Sequence, residues 1–275
     1  MKKILIILGL ALLSLTSSKE NIQITYVANC GFLYESSSQK VLIDPFGTRF
    51  GNLFNLPSSE TMTKIENGTT PFDQINLVLI THIHGDHFDP FPAEKFLLQN
   101  THTQLVCPPQ VRQQMKDSCQ NFVQIEAQIL SPQLSMSEIK TIPVNGIQLT
   151  IVRMQHGTNR SLQEVDYKDY TDYEKTEDYG YLFELGNKVI FHQGDGCLKI
   201  NQEALDKLNQ KVDVAFLSYF DWDTSSFNLL KDKLQAQNII FMHGTKPAKE
   251  REKEEFKVME PKLILFNQEL ENKTF

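Results

Sequence analysis

The chain has 275 residues, 40% hydrophobic and 22% charged, with 27 Lys+Arg against 34 Asp+Glu for a formal net charge of −7. That is ordinary globular composition, which excludes intrinsic disorder, a collagen-like repeat and a disulfide-dense miniprotein. The acidic balance argues against nucleic acid as a partner, and the length allows a large α/β domain with a substantial core.

In chain order, residues 1–18 come first as a segment apart. Lys2 and Lys3 precede a stretch from Ile4 to Leu15 that is apolar except for Gly9 and Ser14, and Thr16, Ser17 and Ser18 follow. A positive start, a short apolar run and small polar residues make a secretory signal, expected to be cut after Ser18. A bilayer span needs roughly 20 apolar residues, so an uncleaved anchor is the lesser alternative. The expectation is a secreted or periplasmic domain over 19–275 with no stable membrane span. In an oxidising compartment Cys30, Cys107, Cys119 and Cys197 can pair in three ways, among which sequence does not choose. For Cys30 and Cys197 a packed thiol is the default reading, beside a disulfide half or a spare soft ligand. Asn67, Asn159 and Asn272 head Asn-x-Ser/Thr triplets, which matter only in a host that glycosylates.

Residues 22–28, 32–35 and 40–43 are β-rich and separated by turn residues, which predicts an antiparallel meander. Residues 45–72 carry Gly, Pro, Ser, Thr and Asn at loop density and read as a long excursion. Ile75 to Thr81 is nearly continuous in apolar residues, the mark of a strand buried on both faces. Further strands are expected over 104–107, 147–155, 180–185, 188–193, 212–218 and 238–242, and helices over 91–99, 109–118, 202–209 and 225–235. That alternation predicts sheets covered by helices. Asn159 to Tyr179 is rich in Asp, Glu, Lys and Tyr without an apolar stripe and reads as a surface loop. Lys246 to Lys257 reads as an exposed helix.

The histidines concentrate the chemistry. Thr81-His82-Ile83-His84-Gly85-Asp86-His87 leaves the buried strand, placing four candidate ligands within six residues. His82 and His84 project together if strand geometry persists, and Gly85 lets the chain turn and aim Asp86 and His87 elsewhere. This is a geometry for two metals. His156 follows the strand at 147–155 and precedes Gly157. Asp195 lies between Gly194 and Gly196 after the strand at 188–193, and His243 precedes Gly244 after 238–242. Functional residues gather at the carboxyl ends of strands in open α/β sheets. His102 sits in a polar stretch and His192 alternates away from Asp195, so neither joins the set.

The pattern His82-x-His84-x-Asp86-His87, then His156, Asp195 and His243, resembles the metallo-β-lactamase superfamily over the whole predicted mature chain. Ile24-Thr25-Tyr26 leading to Cys30-Gly31-Phe32, Val41-Leu42-Ile43-Asp44-Pro45 and Gly194-Asp195-Gly196 are similar to the L-ascorbate-6-phosphate lactonase-like branch. The resemblance implies an αββα sandwich, two mixed β-sheets flanked by helices. It implies one metal on His82, His84 and His156, another on Asp86, His87 and His243, and Asp195 bridging. Imidazole and carboxylate donors suit zinc, with Mn or Fe as alternatives. His84 stands where di-iron redox relatives carry glutamate, which disfavours oxygen chemistry.

The implied function is a binuclear hydrolase whose metal-bridging hydroxide attacks an ester, lactone, amide or phosphodiester of a small molecule. Asp86 would also orient the water or relay its proton. Asp89 reads equally as a partner for a ligand imidazole or as a helix N-cap. Tyr219, Phe220 and Trp222 follow the strand at 212–218 and read either as an aromatic wall of the substrate pocket or as buried core packing, and Arg49 is a weak candidate for an anionic group. An exported chain would not meet phosphorylated intracellular sugars, so the lactonase substrate is not carried over. The alternatives are a single-metal dioxygenase and a non-catalytic metal-binding module on the same fold.

Overall fold

The computed structural model describes residues 20–157, 175–221, 224–244 and 263–275. Residues 1–18, Asn159, Trp222 and the segment Lys246 to Lys257 therefore lie outside the described residues. Two seven-stranded mixed sheets stack face to face. The first contains β1 (Gln23–Ala28), β2 (Gly31–Glu35), β3 (Lys40–Ile43), β4 (Leu77–Leu79), β5 (Gln104–Val106) and β6 (Ile129–Leu130) in that spatial order, with β14 (Asn272–Thr274) beside β1. β1 to β3 form the expected antiparallel meander, and β3 to β6 run parallel. The second contains β7 (Ile139–Val144), β8 (Ile147–Met154), β9 (Asp178–Leu185), β10 (Lys188–His192), β11 (Val214–Ser218), β12 (Asn238–Met242) and β13 (Leu263–Ile264). In that sheet β7 to β10 are antiparallel and β10 to β13 parallel.

Strand alternation divides the apolar residues among three layers. Leu77 and Leu79 of β4 face the space between the sheets, with Phe32, Tyr34, Ile151, Phe183 and Phe216. Val78 and Ile80 face outward onto Phe96, Leu97, Val111 and Met115, contributed by α2 (Pro90–Gln99) and α3 (Pro109–Ser118). The continuous run Ile75 to Thr81 is apolar because both its faces are covered. On the second sheet, Leu182, Phe191, Ala215 and Leu217 meet Leu205, Phe227 and Leu230 from α5 (Gln202–Leu208) and α6 (Thr224–Leu234). Phe32 and Phe216 cross between the sheets edge to face at 4.7 Å. Each such buried ring stabilises by about 1.5–3 kcal/mol over exposure.

Several elements depart from the sequence expectations. The excursion at 45–72 contains α1 (Ser59–Glu66), capped where the Ser58 side chain accepts from Thr61 N–H at 3.2 Å. Only Thr61 and Ile65 of it are buried, too few to make a visible stripe. Residues 139–144, unassigned from sequence, form edge strand β7, which tolerates Pro143 because an edge needs no donor there. Its turn to β8 is Asn145-Gly146, both at positive φ (46° and 80°), as a tight hairpin requires. The surface-loop reading of residues up to Tyr179 fails at its end. Asp178 and Tyr179 belong to β9 and are buried. A short α4 (Phe122–Ile125) was also not anticipated.

Candidate metal centre

β8, β10, β11 and β12 all point their carboxyl ends to one edge of the sandwich, where β4 of the other sheet also ends. The two sheets are tied there by Tyr179 N–H donating to Thr81 O at 2.9 Å and Tyr181 Oη–H donating to Ile80 O at 2.6 Å. The β8 and β10 exits are joined by a bridge between His156 and Gly196 and by Gly157 N–H donating to Asp195 O at 2.7 Å. Side chains far apart in sequence are thereby brought onto one point.

His82, His84 and His156 form a triangle with ring centroids 4.5, 4.7 and 4.8 Å apart. One ligand atom from each lies within 4.8 Å of the others. His87 and His243 stack at 5.2 Å, and Asp86 Oδ2 is 3.5 Å from His87 Nε2 and 3.1 Å from His243 Nε2. Between the two groups stands Asp195. Its Oδ2 is 3.8 Å from His82 Nε2, 3.6 Å from His156 Nε2, 3.4 Å from His87 Nε2 and 3.1 Å from His243 Nε2. His84 is half-buried, while the other six are buried.

Hydrogen bonds behind the rings decide their tautomers. Thr81 Oγ1–H donates to Asp44 Oδ2 at 2.6 Å, so at 3.0 Å it can only accept from His82 Nδ1–H. His87 Nδ1–H donates to Asp44 Oδ2 at 2.8 Å, and His156 Nδ1–H to Gly157 O at 2.5 Å. In the neutral form all three rings present an Nε2 lone pair to the cluster, the arrangement that outer partners impose on ligating histidines. His82 Nε2 and His87 Nε2 are buried with no hydrogen-bond partner. A buried acceptor left in that state costs about 1–3 kcal/mol, and a divalent cation would satisfy both. The residues present fit such a group.

The electrostatics agree. Burial, with the His87 and His84 rings beside it, pulls His82 well below its ordinary value, and burial lowers His156. Burial would also lower His87 and His243, but the carboxylates around them prevail. His87 lies well above its usual range through Asp195, Asp86 and Asp44, and His243 is raised to about 9, mainly by Asp195. Burial pushes Asp86 up, yet His87 and His243 bring it down to about 2. Asp195 is likewise held well below the carboxylate range by His243 and His87 against burial. His82 and His156 are neutral on one side, and on the other two ionised carboxylates hold protons on His87 and His243 that a bound cation would displace.

Several of these contacts were not legible in sequence. Asp44 ends β3 at φ 43° and holds both Thr81 and His87. Its position at a strand exit was the available signal. Asp178 Oδ1 lies 3.9 Å from His82 Nδ1, and burial raises its carboxyl well above the usual range. Asn29, at φ 45° in the β1–β2 turn, donates from Nδ2 to Asp86 Oδ2 at 2.9 Å. Of the paired readings, Asp89 is the N-cap of α2, accepting from Phe91 N–H at 2.9 Å and from Thr48 Oγ1–H at 2.5 Å.

His192 is buried between the sheets, where its Nε2–H donates to Cys30 O at 3.1 Å and its Nδ1 accepts from Gly194 N–H at 3.2 Å. His102 is exposed. Arg49 is exposed, with its stem over Gly85. Tyr219 is half-buried in a single turn that follows β11. All four cysteines are free thiols.

Residues 39–243 match the family described as the beta-lactamase superfamily domain, a span that includes every member of this cluster. A metal-dependent hydrolase of Pyrococcus abyssi is 24% identical over 240 residues, covering 86% of this chain and 91% of that protein. Among solved structures, Igni18, a metallo hydrolase from Ignicoccus hospitalis, superposes with a TM-score of 0.59 at 18% identity, covering 93% of this chain and 98% of that one. CmlA, a diiron β-hydroxylase from Streptomyces venezuelae, gives a TM-score of 0.55 at 12% identity over 94% of this chain and 54% of that one. These two likenesses concern the fold alone. The family match over most of the chain, together with two mixed sheets between helical layers, shows that this protein belongs to the beta-lactamase superfamily.

Proposed function

We propose that the protein is a binuclear metal-dependent hydrolase, and the observation that carries the proposal is the placement of Asp195 Oδ2 within 3.1–3.8 Å of four ring nitrogens from both histidine groups. A carboxylate so placed can bridge two cations, one on His82, His84 and His156 and one on Asp86, His87 and His243. When bound, such a pair supplies an activated water at neutral pH and polarises a carbonyl or phosphoryl oxygen. The chain's own residues do the rest. Asp44 and Thr81 hold His87 and His82 in the ligating tautomer, and Asn29 orients Asp86. Held below the usual carboxylate range by His87 and His243, Asp86 is ionised and suited to ligating a cation, and it would also orient the water or relay its proton.

The hydrolase name of the Pyrococcus protein, matched over most of both chains, supports hydrolysis. The diiron hydroxylase on the same fold is the competing chemistry, and a histidine at position 84 speaks against it. Esters, lactones, amides and phosphodiesters are the proposed substrate classes, with no order among them. Tyr219 is proposed for the substrate wall because it follows the β11 exit, next to the β12 exit that carries His243, and Trp222 is proposed with it on its place in the sequence alone. No helix among the described residues is long and apolar enough to cross a membrane. Residues 1–18 are the ground for proposing export, checked by whether the exported protein's N-terminal sequence begins at Lys19.

Metal quantification after saturation, joined to hydrolysis assays on lactones, phosphodiesters, thioesters and β-lactams, tests the main proposal. Two metals per chain with turnover of one class are expected. Fewer than two with no hydrolysis would overturn it.

A further inference from the structure

The thiol of Cys30 is a group at this centre to which the proposed function gives no role. It is buried in the β1–β2 turn, and three contacts aim it inward. His192 Nε2–H holds the Cys30 carbonyl at 3.1 Å, Asn29 Nδ2–H holds Asp86, and the Cys30 thiol points at Asp195 Oδ1 at 3.7 Å. Gly31 is packed so closely that a β-carbon there would meet Asp44 O at 2.8 Å and Ala28 O at 2.9 Å, which keeps the turn tight against the site.

One ligand atom each from Cys30, His87, Asp195 and His243 lies within 4.8 Å of the other three. A tetrahedral zinc with Zn–N of about 2.0–2.1 Å and Zn–S of about 2.3 Å has ligand-to-ligand edges of about 3.3–3.6 Å. The edges here are 3.4 Å from His87 Nε2 to Asp195 Oδ2, 3.1 Å from His243 Nε2 to Asp195 Oδ2, and 3.7 Å from the Cys30 sulfur to the other oxygen of Asp195. His87 Nε2, fully buried and without a hydrogen-bond partner, is aimed into the same space.

We propose that Cys30 ligates the metal held by His87 and His243 through its sulfur, giving that position a thiolate donor and a preference for zinc over manganese or magnesium. The inference rests on the binuclear reading above and adds the sulfur as a further donor to the set of Asp86, His87, His243 and Asp195. As the metal–sulfur bond forms, the S–H proton, which in the metal-free protein points at Asp195, leaves to solvent. Thiolate donors select zinc, whereas manganese and magnesium favour all-oxygen sets. The other three cysteines cannot supply the sulfur. Cys107 and Cys119 pack in the outer core on the helical side of the first sheet, and the Cys197 thiol is directed at Asp221 Oδ1 at 3.4 Å.

The test is X-ray absorption on the full-length protein loaded with zinc, with cobalt substitution as a second probe. A sulfur scatterer at about 2.3 Å and a sulfur-to-cobalt charge-transfer band are expected. Cys30→Ser should lose both while still binding metal, with zinc-over-manganese preference reduced on the order of tenfold or more. Cys197→Ser should keep both. Two zinc ions bound through nitrogen and oxygen alone would overturn the Cys30 assignment and leave the binuclear reading standing. No zinc uptake would overturn both. If Cys30→Ser does not fold, the wild-type scattering decides by itself.

Discussion

Asp44→Asn is the substitution that separates the hydrogen bonds behind the metal site from the site itself. Asp44 is buried and accepts three bonds: Thr81 N–H at 2.8 Å on Oδ1, and Thr81 Oγ1–H at 2.6 Å and His87 Nδ1–H at 2.8 Å on Oδ2. Asparagine tolerates the residue's φ of 43°, so the backbone is preserved. Its amide oxygen can serve only one of the two positions. Keeping it opposite the two side-chain donors turns the amide nitrogen toward Thr81 N–H, which then loses its acceptor at a cost of about 1–3 kcal/mol. The bond to His87 also falls from charge-assisted to neutral, roughly halving its strength. Together these destabilise the fold by about 2–4 kcal/mol. With the His87 ring no longer held as firmly, zinc affinity should drop about 10–100-fold. Competition against a chromophoric chelator measures the affinity, and thermal melting followed by circular dichroism measures the stability. Asp44→Ala would strand all three donors, roughly 3–9 kcal/mol, comparable with the whole stability of a domain. It is therefore the less informative change. Zinc affinity of Asp44→Asn within about twofold of the unmodified protein, well short of that expected loss, would refute the argument that Asp44 orients His87.

Gly47→Ala would place a β-carbon 2.1 Å from Asp86 O and 2.7 Å from Asp86 C. Because the obstruction is backbone, the Asp86-His87 loop must move. A cost of about 1–3 kcal/mol and reduced metal content are expected from melting and metal analysis. Asn29→Gly keeps the left-handed turn but deletes the bond to Asp86. One metal should then be bound more weakly than the other, so a zinc titration should resolve two unequal steps. The metal-free protein should be most heat-stable near pH 6.5. The raised value of His243, about 9 against an ordinary 6.5, gives stability that is present below 6.5 and lost as pH rises through 9. The lowered values of His82 and His156 give stability that is lost as pH falls below 6.5. Zinc should abolish the alkaline decline because ligated nitrogens carry no proton. A melting temperature of the metal-free protein that climbs steadily from about pH 6 to 9 would contradict this linkage.

Local pattern made much of the architecture legible. The run from Ile75 to Thr81 announced a doubly covered strand, and helices expected at 91–99 and 109–118 lie at Pro90–Gln99 and Pro109–Ser118. These elements declare themselves because burial on both faces, or proline at a helix start, leaves a mark within a few residues. β7 and α1 did not, although Asn145-Gly146 carried a hairpin signal. An edge strand with Pro143 and a short helix with few buried residues lack a full apolar period. Asp178 was misread because charge in a polar stretch looks solvated, and only the return of β9 beneath Thr81 buries it.

By itself the sequence determined that His82, His84, Asp86, His87, His156, Asp195 and His243 leave strand ends beside glycines, because strand and turn propensities act over neighbouring residues. Tertiary structure decided what those ends face. Parallel pairing of β10, β11 and β12, and the tie from Tyr181 to Ile80, bring both sheets to one edge and set Asp195 Oδ2 among four imidazoles. Asp44, Asn29 and Cys30 joined the site in the same way. Their partners lie between 37 and 165 residues away, a separation that no local periodicity records and only the packing of two sheets closes.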